Sequence, residues 1–128
     1  MKTVVMEFEK GGRFEISLDP NAPLTCKAFT DQLPHIGSVL HGRFSGEEFF
    51  FKMPLAVGAE NKVAPKAGSV SFNSDPKWQA VCIYYGPNIK VSSPCNLFGE
   101  VKGDLAELEK IGLRIWQQGE EKIWMKIL

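Results

Sequence analysis

Directly after Gly11-Gly12, Phe14, Ile16 and Leu18 alternate with Arg13, Glu15 and Ser17. Period-two spacing of this kind puts apolar side chains on one face of a strand and polar ones on the other. The run Val4 to Glu9 precedes the glycines, so the two segments read as a hairpin. The same alternation returns at Lys122 to Leu128, where Ile123, Met125 and Ile127 are separated by Trp124 and Lys126. Between these ends, Gly68 to Phe72, Ala80 to Tyr85 and Asn96 to Val101 read as further short strands. The second of these is apolar or aromatic throughout, as in a strand covered on both faces. Leu55 to Ala67 and Ile89 to Pro94 read as loops.

Two segments depart from the strand pattern. Asn21 is expected to cap a helix with Pro23 in its first turn. That helix runs to Leu33, carries Ala22, Cys26, Phe29 and Leu33 on one face, and stops at Pro34. Asp104 and Glu107 form a capping-box variant ahead of Leu105 to Ile111, with Gly112 as the C-terminal cap and Leu113 to Trp116 beyond it. About eight strands and two short helices imply a mainly β single domain over residues 1–128. A closed barrel is expected, because closure removes unpaired edges.

The central hairpin, Val39 to Met53, carries the chemistry. A two-residue turn at Ser45-Gly46 sets Arg43 opposite Glu48, His41 opposite Phe50 and Leu40 opposite Phe51. Leu40, Gly42, Phe44, Phe49 and Phe51 then face the core. Val39, His41, Arg43, Glu48, Phe50 and Lys52 share the other face, where Phe50 is an aromatic without a core to enter.

Charge and cysteine content exclude several classes. Fifteen basic residues balance fifteen acidic ones, and no basic block interleaves with aromatics, so no nucleic-acid partner is expected. Near-zero net charge favours self-association, and a homo-oligomer through Phe50 is one expectation. Cys26, Cys82 and Cys95 are odd in number and widely spaced, which suits free thiols in a cytoplasm. Cys26 reads as a small core residue. The run Val4-Val5-Met6 is too short to span a membrane or serve as a signal peptide. The histidines and cysteines lack metal spacing, so no metal or cofactor is expected. Glu47 and Glu48 are consecutive strand residues facing opposite ways, unlike the paired acids of a glycosidase. Trp78, Trp116 and Trp124 read as barrel packing.

Three motifs resemble the cyclophilin fold. Ala22-Pro23-Leu24-Thr25 with Phe29 resembles the start of the first cyclophilin helix, and Phe98-Gly99-Glu100-Val101 resembles a cyclophilin strand. His41-Gly42-Arg43 stands where cyclophilins carry their catalytic arginine. The hairpin residues His41, Arg43, Phe44, Ser45, Gly46, Glu47 and Glu48 are more similar still to a group of small bacterial cyclophilin-like proteins of unknown function. The resemblance implies a cyclophilin-like barrel. Cyclophilins follow the arginine strand with a Gln-Gly-Gly segment, whereas this chain has Glu47-Glu48-Phe49-Phe50-Phe51. Their Trp- and His-bearing loop is replaced by Pro87 to Asn96. The prolyl isomerase set is thus incomplete, and a non-catalytic binder is expected ahead of an isomerase-like enzyme or a homo-oligomeric interaction protein. The expected ligand site is His41, Arg43, Glu48 and Phe50, with Asn96 brought close by the cyclophilin-like placement of the Phe98 strand. Arginine at its centre suits a small carboxylate or a peptide carbonyl.

Overall fold

The computed structural model describes residues 2–91 and 93–128. Met1, and Ser92 within the loop read over Ile89 to Pro94, lie outside them. The strands are β1 (Val4–Phe8), β2 (Arg13–Leu18), β3 (His35–His41), β4 (Gly46–Lys52), β5 (Lys62–Val63), β6 (Ser69–Asn73), β7 (Ala80–Ile89), β8 (Cys95–Lys102) and β9 (Glu121–Ile127). Eight of them close into an antiparallel barrel in the order β2-β1-β9-β3-β4-β7-β6-β8, and β2 pairs with β8 to complete the ring. The two-residue β5 adds to β8. The expected mainly β barrel is therefore what the chain forms.

Alternation explains the lumen. Phe14, Ile16, Phe49, Phe51, Val70, Phe72, Val81, Ile83, Phe98, Ile123 and Met125 all turn inward and are buried in one cluster. Helix α1 (Pro23–Asp31) sends Phe29 against Phe98, with ring centroids 5.1 Å apart. Cys26 is a buried core thiol, as expected, 3.4 Å from the carbonyls of Asp19 and Phe98.

Three local expectations are corrected. The N-cap of α1 is Ala22 and lacks a side-chain bond, while the Asn21 amide donates to Asp19 Oδ1 instead. Helix α2 does not stop at Ile111 but runs Leu105–Gln118, capped by Gly119. Gly112 lies inside it because the Tyr85 ring packs on its Cα, and a Cβ would fall 2.4 Å from that ring. Close packing, and no turn, is what glycine serves there. Asp104 caps the helix by accepting from the Ala106 amide, whereas Glu107 pairs with Lys110 rather than reaching back.

The start of β9 is fastened by a bidentate pair. Arg114 on α2 donates to both oxygens of the buried Glu121, at 2.8 and 2.9 Å, and also to the Gly11 carbonyl. Among the described residues no helix is long and apolar enough to cross a membrane, and no group of His, Cys, Asp and Glu could hold a metal ion.

Candidate functional site

The central hairpin does not use the two-residue turn. A 3-10 turn, Arg43–Ser45, intervenes between β3 and β4 and ends at Gly46, whose φ of 95° favours glycine. Asn88 and Lys90 backbone also crowd the position a Gly46 Cβ would take. Leu40 therefore pairs with Phe50 and His41 with Phe49, one residue out from the expected register. A one-residue slip reverses the faces of one strand relative to the other. The faces of β4 are as expected, with Phe49 and Phe51 inward and Glu48 and Phe50 outward. Those of β3 are reversed: Val39 is fully buried and Leu40 is 45% exposed. His41 and Arg43 are thereby separated from Glu48 and Phe50.

On one side of that division, His41 Nε2 lies 2.7 Å from the Tyr85 hydroxyl, and its ring packs 4.8 Å from that of Trp116 on α2. Burial and the neighbouring Arg43 guanidinium lower the His41 pKa, partly countered by Glu47. Arg43 is exposed and lies 3.9 Å over the Trp116 ring, a cation–π contact. These residues pack as a cluster and do not line the cavity on the other side of the hairpin.

On the other side, the outward residues of β4, β6 and β7 floor a cavity of about 420 Å³. Glu48, Phe50, Ser71, Ala80, Cys82 and Tyr84 form the floor, and Val91, Ser93 and Pro94 of the β7–β8 loop wall it together with Cys95, the first residue of β8. Phe44 from the 3-10 turn and Trp78 stand at the mouth with ring centroids 5.4 Å apart, and Trp78 meets Phe50 edge-on at 5.9 Å. Phe50 is not the exposed aromatic that was expected. It is 7% exposed inside its own chain, which removes the ground for a homo-oligomer joined through it, and Phe44 at 64% is the exposed phenylalanine of the hairpin.

Glu48 dominates the electrostatics. Its side chain is buried on the outer face of β4, beside a register shift between β4 and β7, and lines the cavity. The carboxyl lies against Gly42, where any Cβ would collide with it. Burial raises its pKa to about 7, against the opposing influence of the Tyr84 hydroxyl and Cys82 thiol. Burial likewise pushes the Tyr84 hydroxyl and the Cys82 thiol up, so both remain protonated. The Tyr84 hydroxyl also lies 3.4 Å from Cys95 Sγ. Asn96 borders the same cavity, but its amide is committed. Its Oδ1 accepts from the Glu60 and Asn61 amides at 3.2 and 3.0 Å, and its Nδ2 donates to Thr25 Oγ1 at 3.1 Å.

Of the five residues expected at the site, the fold gathers Glu48, Phe50 and Asn96 and sets His41 and Arg43 apart. Sequence reading missed Phe44, Trp78, Cys82, Tyr84 and Cys95. Cys82 and Tyr84 had a signal, since alternation along Ala80 to Tyr85 puts them on one face. Trp78 lies in the turn between β6 and β7, and Cys95 opens β8 one residue before the strand read from Asn96, so neither is described by periodicity.

Comparison with known proteins adds family and fold. A family model described as "Protein of unknown function (DUF3830)" matches residues 9–126. The structure of McbB in complex with tryptophan is similar with a TM-score of 0.79 at 18% identity, covering 96% of this chain and 44% of McbB. This chain thus spans less than half the length of that protein. The solution structure of the hypothetical protein AF2241 from Archaeoglobus fulgidus is similar with a TM-score of 0.71 at 21% identity, covering 99% of this chain and 95% of AF2241. At such identities the likeness is one of fold. No curated protein matches. With nearly its whole length matched by the family model, the chain belongs to the DUF3830 family of proteins of unknown function.

Proposed function

We propose that this protein is a non-catalytic binder of a small molecule with a flat aromatic part, held in the cavity on the outer face of β4, β6 and β7. The observation that carries this reading is the cavity itself. Its volume of about 420 Å³ lies in the range of small-molecule sites, and it joins aromatic walls to a few convergent polar groups. Phe44, Phe50 and Trp78 offer ring faces and edges for stacking. McbB was solved with tryptophan bound, which makes tryptophan a natural first compound to try; shared fold alone does not transfer a ligand.

The cyclophilin-like assignment belongs to the same proposal, supported by the closed eight-stranded barrel with two helices and by the motifs at Ala22 and Phe98. Prolyl isomerisation is not part of it, because Arg43 lies over Trp116 and the Gln-Gly-Gly segment is missing. A reducing cytoplasm suits three free thiols, two of which line the cavity.

A panel of aromatic acids, amines, alcohols and short peptides, screened by thermal shift and by quenching of tryptophan fluorescence, tests the binding reading. Some aromatic members should raise the melting temperature, since a ligand bound to the native state stabilises it by mass action. Trp78→Ala and Phe50→Ala should each weaken those hits. A panel without hits, or hits indifferent to both substitutions, would overturn it.

A further inference from the structure

Resting on the binding reading above, we infer that Glu48 is the counter-ion for a protonated amine, so that the cavity selects arylalkyl amines over aromatic acids and alcohols. The Glu48 side chain is 3% exposed and borders the cavity. Among the described residues no lysine, arginine or histidine forms an ion pair with it. A buried carboxylate without a cation is costly, and a cation arriving with the ligand offsets that cost.

The other groups around the cavity agree with this polarity. Cys82 and Tyr84 beside Glu48 stay protonated, so neither competes as an anion. Asp75 at the rim accepts the Lys77 amide in its own turn at 2.9 Å. Lys62, the one cation among the described lining residues, is exposed on β5 and forms no ion pair with Glu48. Arg43, which would have drawn a carboxylate, lies over Trp116 instead. Phe44, Phe50 and Trp78 favour a cation near their ring faces as well as an aromatic group. An aromatic acid would bring its own negative charge toward Glu48.

Proton linkage makes the inference measurable. With a pKa of about 7, the Glu48 carboxyl of the empty cavity is partly protonated at neutral pH. An ammonium group stabilises the ionised form, so the complex holds fewer protons than the free protein. Amine affinity should therefore rise with pH through this range, until the amine itself begins to lose its proton.

Isothermal titration with 2-phenylethylamine and its neutral counterpart 2-phenylethanol, at about pH 5.5 and about pH 8.5, reads this directly. The amine should bind about tenfold tighter at the higher pH, and should release protons on binding at the lower pH, where the carboxyl of the empty cavity is still protonated, while the alcohol shows neither effect. Glu48→Gln should flatten the pH dependence of the amine and reduce its affinity to that of the alcohol. Near-ultraviolet circular dichroism of the variant verifies that the barrel is intact. Equal, pH-independent binding of both probes would overturn the amine selection and leave the cavity reading standing. Failure of both probes together with the wider panel would overturn both readings.

Discussion

Strands β4 and β7 present two faces that share one backbone and differ in purpose. Inward, Phe49, Phe51, Val81, Ile83 and Tyr85 fill the barrel, and the Phe49 and Tyr85 rings stack with centroids 6.0 Å apart. Outward, the alternate residues Glu48, Phe50, Cys82 and Tyr84 are just as shielded from water, yet they border open volume. Burial alone therefore does not distinguish core from site. The inner face buries apolar groups against one another, which stabilises the fold. The outer face buries a carboxyl without a cation, a choice that opposes stability and is typical of functional sites.

The sharpest way to break this contrast is to truncate neighbouring phenylalanines. Phe49→Ala should cost about 3–5 kcal/mol in urea denaturation, because it opens a hole in a closed core. Phe50→Ala should cost clearly less, about 1–3 kcal/mol, because its ring already borders a cavity, but it should weaken ligand binding. Equal costs would erase the distinction between the faces.

A second test uses pH. The folded-state pKa of Glu48, about 7, is raised above its ordinary value of 4.5. Between those values the native protein keeps a proton that the unfolded chain has released. This group's contribution to stability is therefore lost as pH rises through that window. Glu48→Gln should accordingly stabilise the protein at about pH 8, by about 3 kcal/mol at most, with the gain vanishing near pH 4.5. His35 and His41, whose pKa values are lowered chiefly by burial, act in the opposite sense below pH 6.5. Only the difference between the variant and the parent protein isolates Glu48. A variant less stable than the parent at pH 8 would mean that the carboxylate is well compensated and the outer face is an ordinary core.

Smaller effects sharpen the boundaries. Gly112→Ala should destabilise by about 1–3 kcal/mol by pushing on the Tyr85 ring, although alanine is the better helix former. Arg43→Ala should cost no more than about 1 kcal/mol through its loss from Trp116, and should leave cavity binding unaltered. A large loss of binding in Arg43→Ala would join the two clusters that the hairpin register separates.

Closure of the barrel was expected because about eight strands in one small domain would otherwise leave unpaired edges. The mainly β character was legible in the chain, because inward and outward residues alternate locally along β2, β9 and most of β4. The Asp104 cap was legible for the same reason, since a cap depends on residues only a few positions away. The end of α2 was not. Gly112 resembles a terminator until Tyr85, distant in sequence, is seen against it. The site was legible in part. Glu48 and Phe50 were correctly placed together on the outer face of β4, but His41 and Arg43 were put beside them through a turn one residue too short.

Local periodicity determined which residues of each strand share a face, because that follows from the backbone of a single segment. Only tertiary structure decided how the faces of two strands combine. The 3-10 turn at Arg43–Ser45 is held by Ser45 and Gly46 backbone bonded and packed against Asn88, in the distant strand β7, and Lys90 just beyond its end. That contact sets the register, sends Arg43 toward Trp116, and leaves Glu48 facing the cavity without it. Register depends on long-range partners whose identity the local pattern does not carry.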